Sequence, residues 1–196
     1  QKLHDTFDLC LQCKGCKAEC PSNVDVARMK VEFLHHYYEK NGTPLSARAM
    51  GNAATLNRLG SLFAPLSNWA LKLPGAAWMN EKLLGIDRRR PMPTFHRNHF
   101  ARWFHKRKAT ESKATRGKVV LLDDCLTSFC EPNVNRAAVK VLEAAGFEVQ
   151  LAGLSCCGRA MLSKGLVREG KQLAHHNVQQ LLPLAEQGIP VLGSEP

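Results

Sequence analysis

The 196-residue chain is long enough for one medium domain or two small ones, each with its own core. At 44% apolar and 22% charged residues it is neither disordered nor fibrous. Its net charge of +10 favours an anionic partner, and the lack of any apolar run of about 18 residues, or of a secretory signal, argues against a spanning helix or export.

The first segment, to about residue 21, is a cysteine run: Cys10, Cys13, Cys16, Cys20 and then Pro21. The spacing C-x2-C-x2-C-x3-C-P is that of bacterial ferredoxins binding a [4Fe–4S] cluster. A cubane has four irons, each needing a thiolate, and two-residue gaps let one tight loop wrap three corners. Gly15 gives the loop torsional freedom. In two-cluster ferredoxins the cysteine before proline serves the other cluster. Cys10, Cys13 and Cys16 therefore hold one cluster, and Cys20 closes either that cluster or a second one. A zinc ribbon would need two separated C-x2-C pairs instead.

Beyond Pro21, Ser22, Asn23 or Asp25 can cap a helix carrying Val26, Met29, Phe33, Leu34, Tyr37 and Tyr38 at helical spacing, which Asn41-Gly42 ends. Residues 45–85 read as further helices punctuated by Gly60, Pro65, Pro74-Gly75 and Gly85. The apolar stretch from Leu62 to Leu73 reads as a buried or amphipathic helix and permits contact with a membrane surface. Arg88 to Thr94 is a loop, and Phe95, Phe100, Trp103 and Phe104 suggest a short aromatic helix. The polar stretch that follows is the expected linker, 109–117, between domains at 1–108 and 118–196.

The pattern then changes. Lys118 to Asp123 suits a buried parallel strand, Asn133 caps a helix whose face is Val134, Ala138, Val141, Leu142 and Ala145, and Phe147 to Leu151 is a second strand. A long helix over 165–182 and a strand over 189–192 complete an early-ending strand–helix–strand–helix–strand order, the pattern of a parallel α/β sheet. Gln1 and the abrupt C-terminus have the look of cuts within a longer polypeptide. Cys125 ends the first strand, and Cys156-Cys157-Gly158 follows the second. Strand C-termini of a parallel sheet lie together, so Cys125, Cys156 and Cys157 either converge as a metal or redox site or are small buried core residues. Cys130 either joins them or is a bystander. Without a secretory signal the default is a reducing, cytoplasmic setting, where close cysteines suggest metal ligands before disulfides.

The stretch Cys10–Leu34 and the Cys156-Cys157-Gly158 element resemble the iron–sulfur portion of FAD-linked D-2-hydroxyacid dehydrogenases of the D-lactate and D-2-hydroxyglutarate type. The cysteine-rich half is also similar to the iron–sulfur subunits of glycerol-3-phosphate dehydrogenase and glycolate oxidase, and to the cysteine-rich subunit of heterodisulfide reductase. The resemblance implies a mixed fold: an N-terminal all-α helical ferredoxin-like domain, then a truncated α/β cysteine-rich domain. It implies one or two [4Fe–4S] clusters, with Cys125 as the cysteine that precedes the Cys-Cys-Gly element. A further cysteine normally follows a Ser-Glu-Pro sequence, and the chain ends at Pro196. An FAD domain upstream, or in a partner protein, would oxidise a D-2-hydroxyacid, and electrons would pass to a quinone or another carrier. The chain would then be an electron-transfer module, not catalytic alone, with peripheral contact at the inner membrane permitted. A heterodisulfide reductase-like redox site is the alternative. A basic, zinc-holding nucleic-acid binder is a third, with no nucleic-acid motif to support it.

Overall fold

A computed structural model describes residues 2–107, 116–154 and 156–194. The expected linker at 109–117 therefore lies almost wholly outside the described residues. In chain order the described elements are α1 (Lys2–Asp8), α2 (Gly15–Glu19), α3 (Val26–Asn41), α4 (Leu45–Gly51), α5 (Ala53–Leu62), α6 (Leu66–Ala70), α7 (Ala76–Leu84) and α8 (Phe100–Lys106), then β1 (Lys118–Leu121), α9 (Cys125–Phe129), α10 (Pro132–Ala144), β2 (Glu148–Leu151), α11 (Arg159–Ser163), α12 (Val167–Glu186) and β3 (Val191–Leu192). The fold is mixed: mostly helical, with one small parallel sheet. Packing groups the residues up to Asn52 with Gly158–Gln172, and Ala53–Cys157 with the residues from Leu173 onward. This grouping is discontinuous, whereas the division expected from sequence is linear.

The first unit is helical. Asp25 caps α3, accepting the Arg28 N–H at 2.9 Å, and removes one of the orphan donors of that helix start. Rings hold α1 to α3: Phe7 lies 5.2 Å from Phe33, and His4 4.7 Å from Tyr37, centroid to centroid. The turn between α11 and α12 presses on α3. Gly165 sits there at φ +72°, and a Cβ on it would come within 2.6 Å of the Leu34 side chain, so only glycine fits. Leu34 is buried beneath it. Arg168 of α12 pairs with Glu39 of α3.

In the second unit the sheet order is β2-β1-β3, all parallel, with Val119 opposite Val149 and Val120 opposite Val191. The central strand β1 is buried at three of its four positions, as a strand covered on both faces must be. The core joins Phe100, Val119, Leu121, Val139 and Val149, with Trp103 and Phe104 of α8 packed against it. Full burial of one such side chain contributes roughly 1.5–3 kcal/mol. Arg107 stacks over Phe104 at 4.1 Å and pairs with Glu143 at 2.5 Å, which closes α8 onto α10.

Three expectations need correction. Asn133 does not cap α10: Pro132 occupies its first turn, with Glu131 at the cap. The buried face of α10 runs through Pro132, Asn135 and Val139, while Val134 and Val141 are exposed. Apolarity alone puts Val141 inside, but the helix is rotated so that the side chain of Asn135 enters the core. Phe95 lies outside α8, in the loop before it, where its ring covers Gly60 of α5.

Candidate functional site

The cysteine run is built as a loop and a short helix. Cys10 follows α1, and its carbonyl accepts the Lys30 ammonium of α3 at 2.8 Å. The chain then turns through Gln12 and Lys14, both left-handed at φ 57° and 59°, before α2 begins at Gly15. Non-glycine residues adopt that region at a cost, so the loop shape is imposed by its surroundings. Lys14 also reaches Asp25 at 3.4 Å, which braces the loop to the cap of α3. Cys13 and Cys16 are exposed and Cys10 and Cys20 half-buried, all four as free thiols.

Cys20 ends α2. The backbone N–H of Val24 lowers its thiol below the usual range, with further help from the N–H groups of Ser22 and Asn23 and against some burial. Successive amides aimed at one sulfur form a nest for an anion. The Cys-Pro-Ser-Asn turn makes it, with Asn23 at φ 54° and its N–H also bonded to the Cys20 carbonyl at 2.9 Å. Among the described residues no three His, Cys, Asp or Glu side chains are gathered as they would be around one metal ion. That geometry belongs to a single ion. Cubane ligands each bind a different iron and stand apart at the corners. Free, accessible thiols on a tight loop, one of them already in an amide nest, fit a cluster.

The second constellation lies where β1 and β2 end. Asp124 caps α9 by accepting the N–H groups of Leu126 and Thr127 at 2.9 and 3.0 Å, and so places Cys125 in the first turn. The Cys156 thiol donates to the Cys125 sulfur. That bond lowers the Cys125 thiol, opposed by burial and by the nearby Cys157 and Asp124. Cys125 and Cys156 thus lie side by side with Cys157 near, while among the described residues no three His, Cys, Asp or Glu side chains gather around one point. Cys156 is buried and Cys157 exposed. Asn177 of α12 donates to the Cys156 carbonyl at 2.9 Å. Cys130 is packed away in the core, where burial pushes its thiol up to about 11. It shows no part in the site.

Two residues go beyond the expectations from sequence. Asp123, just after β1, accepts the Leu154 N–H at 3.2 Å, and burial pushes its carboxyl up to about 6. The signal is present in the sequence: an acid closing an apolar strand two residues before a cysteine. Asn135 is fully buried. Its amide donates to the Thr127 hydroxyl at 2.8 Å and accepts the Ser194 hydroxyl at 2.6 Å, while Thr127 donates to Asp124. One chain of hydrogen bonds therefore ties the segment after β3 to the helix that carries Cys125.

Residues 119–190 match the family model of a cysteine-rich domain, CCG. The chain is 25% identical, over 97% of its length, to D-2-hydroxyglutarate dehydrogenase of Haemophilus influenzae, covering 19% of that protein. It is 26% identical over 89% of its length to the C subunit of the anaerobic glycerol-3-phosphate dehydrogenase of Escherichia coli K12, and 26% identical over 97% to the glycolate oxidase iron-sulfur subunit of the same organism, covering 44% of each. It spans less than half the length of these relatives. No solved structure is a significant match. Residues 119–190 thus belong to the cysteine-rich CCG domains, and the chain as a whole is homologous to D-2-hydroxyglutarate dehydrogenase, the C subunit of anaerobic glycerol-3-phosphate dehydrogenase and the glycolate oxidase iron-sulfur subunit.

Proposed function

We propose that the chain is the iron–sulfur electron-transfer module of an FAD-linked oxidoreductase acting on a D-2-hydroxyacid. The observation that carries this reading is the ferredoxin-spaced cysteine loop with Cys20 in its nest of amides. Homology to an iron-sulfur subunit and to a D-2-hydroxyglutarate dehydrogenase agrees with it.

Cys10, Cys13 and Cys16 would hold a [4Fe–4S] cluster, with Cys20 on the same cluster or on a second one. Cys125, Cys156 and Cys157 would be ligands at a further centre. A bound cluster supplies one-electron storage between a flavin and an acceptor. The chain's own residues contribute the rest. Lys14 and Lys30 fix the loop, and the amides at Cys20 offset thiolate charge and raise the tendency to accept an electron.

We place residues 1–108 in a helical ferredoxin-like domain and 118–196 in the cysteine-rich domain, joined by 109–117. The flavin domain of the same polypeptide or of a partner protein would be the donor, and a quinone or another carrier the acceptor. The setting would be cytoplasmic, with peripheral contact at the inner membrane permitted. No described helix is long and apolar enough to cross a membrane. A heterodisulfide reductase-like site is the second reading, favoured by the Cys156 thiol that donates to Cys125.

Anaerobic reconstitution with iron and sulfide tests the first reading. Absorbance and EPR should show a [4Fe–4S] signal. A protein that takes up zinc but neither iron nor sulfide would sink it.

A further inference from the structure

Helices α5 to α7 are built inside out. A helix at a water-facing surface turns its apolar stripe to the core. Here the polar groups face inward. Ser61 of α5 is buried and donates to the His96 carbonyl at 2.6 Å. Ser67 of α6 donates to the Gly60 carbonyl at 2.6 Å, and Asn68 binds both the Phe95 carbonyl and its N–H, each at 2.8 Å. The apolar residues face out. On α5, Leu56 and Leu59, with Phe63 just beyond, follow at helical spacing and are 46%, 46% and 60% exposed. Leu66 and Trp69 of α6 are exposed too, and neither α6 nor α7 buries a single residue although α7 is mostly apolar. Trp78, Met79 and Leu83 complete the outward set. A contiguous apolar surface of this kind marks an interaction site.

Charge selects the occupant. Residues 53–94 hold six Lys or Arg against only Glu81 and Asp87, so they carry +4 of the chain's +10. Lys72, Lys82 and Arg88 to Arg90 stand among or just after the apolar helices, all exposed. Arg88 and Arg89 are paired with Glu81 and Asp87, which leaves the excess with Arg58, Lys72, Lys82 and Arg90. Beside α6 and α7 opens a cavity of about 310 Å³, whose lining includes Lys72, Asn80, Arg88 and Arg90 together with the carboxylate of Asp87. Arg88 is held by Glu81 and Asp87 is paired with Arg89, so Lys72 and Arg90 are the cations this cavity offers to a phosphodiester headgroup. Short helices with Leu, Phe and Trp outward, fringed by Lys and Arg, lie in the plane of a bilayer interface, with tryptophan at headgroup level.

We propose that α5 to α7 form an interfacial docking surface for an anionic phospholipid membrane. The apolar residues enter the headgroup–acyl boundary, and Lys72, Lys82 and Arg90 meet the phosphates. This locates the membrane contact of the functional reading, yet it rests on residues 53–94 alone and stands whether or not the cysteine loop holds a cluster.

The test uses the full chain, reconstituted, with vesicles of phosphatidylcholine containing phosphatidylglycerol and with vesicles of phosphatidylcholine alone. EPR on the same samples keeps this test separate from that of the cluster. Expected are cosedimentation with the anionic vesicles, weakening as salt rises, and quenching of Trp69 and Trp78 by brominated lipid with Trp103 unaffected. Replacing Leu66→Ser together with Trp69→Ser leaves the charge unchanged and should weaken binding by about tenfold or more. Val141→Ser, an exposed apolar site on α10, should change nothing. Lys72→Glu with Arg90→Glu should remove the preference for anionic lipid. The proposal is overturned by absence from anionic vesicles, by binding that ignores the Leu66/Trp69 change, or by a dimer of this chain that buries the same tryptophans without lipid.

Discussion

The two cysteine constellations hold their sulfurs in opposite ways. The N-terminal run is local: four cysteines within eleven residues, two of them exposed, on a loop whose one sulfur nest is made of neighbouring amides. The second is tertiary: Cys125 and the Cys156-Cys157 pair come from different strand ends, with Cys156 buried, Cys125 half-buried and Cys157 exposed. A local loop can lose one thiol and keep its scaffold. A site gathered by strand ends depends on the sheet, the caps and the buried Asn135 that ties them together.

The largest break in that comparison is removal of a loop thiol. Cys13→Ser or Cys16→Ser should abolish the first cluster signal in reconstituted protein while circular dichroism stays unchanged, since both side chains are exposed. The corresponding change at Cys156 should disturb folding as well, because it puts a hydroxyl in place of a buried thiol. A full cluster signal in both loop variants would defeat the ligand assignment.

Thiol chemistry sharpens the contrast next. Thiolate is the reactive species, so reactivity follows exposure and ionisation. Alkylation of the reduced apoprotein near pH 8, followed by mass spectrometry, should label the exposed Cys13, Cys16 and Cys157 first, together with Cys20, whose thiol is lowered. Cys130, pushed up to about 11 by burial, should react at least about a hundredfold more slowly than an ordinary cysteine. Rapid labelling of Cys130 would mean that the core around α9 opens.

Asn135→Ala cuts the link within the tertiary site. Both amide partners lose a bond in a buried place, at a cost of about 2 kcal/mol or more by chemical denaturation. The change should also lower hydrogen-exchange protection of the Leu122 amide, which bonds the Leu192 carbonyl of β3 at 2.8 Å. Unchanged protection there would show that Ser194 does not depend on Asn135 for its position.

The same contrast explains what can be read from sequence. Spacing and Pro21 identify the loop because every contact that shapes it lies within a few residues, apart from Lys30 and the Asp25 cap. The parallel strands are legible from short apolar runs, and with them the nearness of Cys125 to Cys156. Asn135 is not, because apolarity ranks Val134 and Val141 above an amide that is fully satisfied in the core. The discontinuous packing of 158–172 with the N-terminal helices is not legible either. It depends on the close approach of Gly165 to Leu34, a contact between residues far apart in the chain. The outward apolar face of α5 to α7 is hidden for the opposite reason. An amphipathic pattern tells that a helix has two faces, and only packing tells which one is inside.

Asp123 gives the finest measure of the tertiary site. Its carboxyl stands at about 6 against an ordinary value of 3.8, chiefly through burial, with amides of Leu154 and Gly153 opposing the rise. A raised acid works against stability once ionised. Below about pH 4 both folded and unfolded chains are protonated there and the group contributes nothing. From about pH 4 to 6 the folded chain keeps a proton that the unfolded chain has lost, so stability falls as pH rises, and above that range the full penalty applies. A shift of roughly two units corresponds to about 3 kcal/mol, reduced to about 1–2 kcal/mol by the solvent that reaches this half-buried group. Asp123→Asn keeps an oxygen for the Leu154 N–H and removes the charge. It should therefore match the parent near pH 4 and exceed it in stability at pH 7 by that amount, read as the difference in urea midpoints at the two pH values. A variant less stable than the parent at pH 7 would show instead that the ionised carboxylate is held by its amide donors, and that this strand end is a site prepared for negative charge.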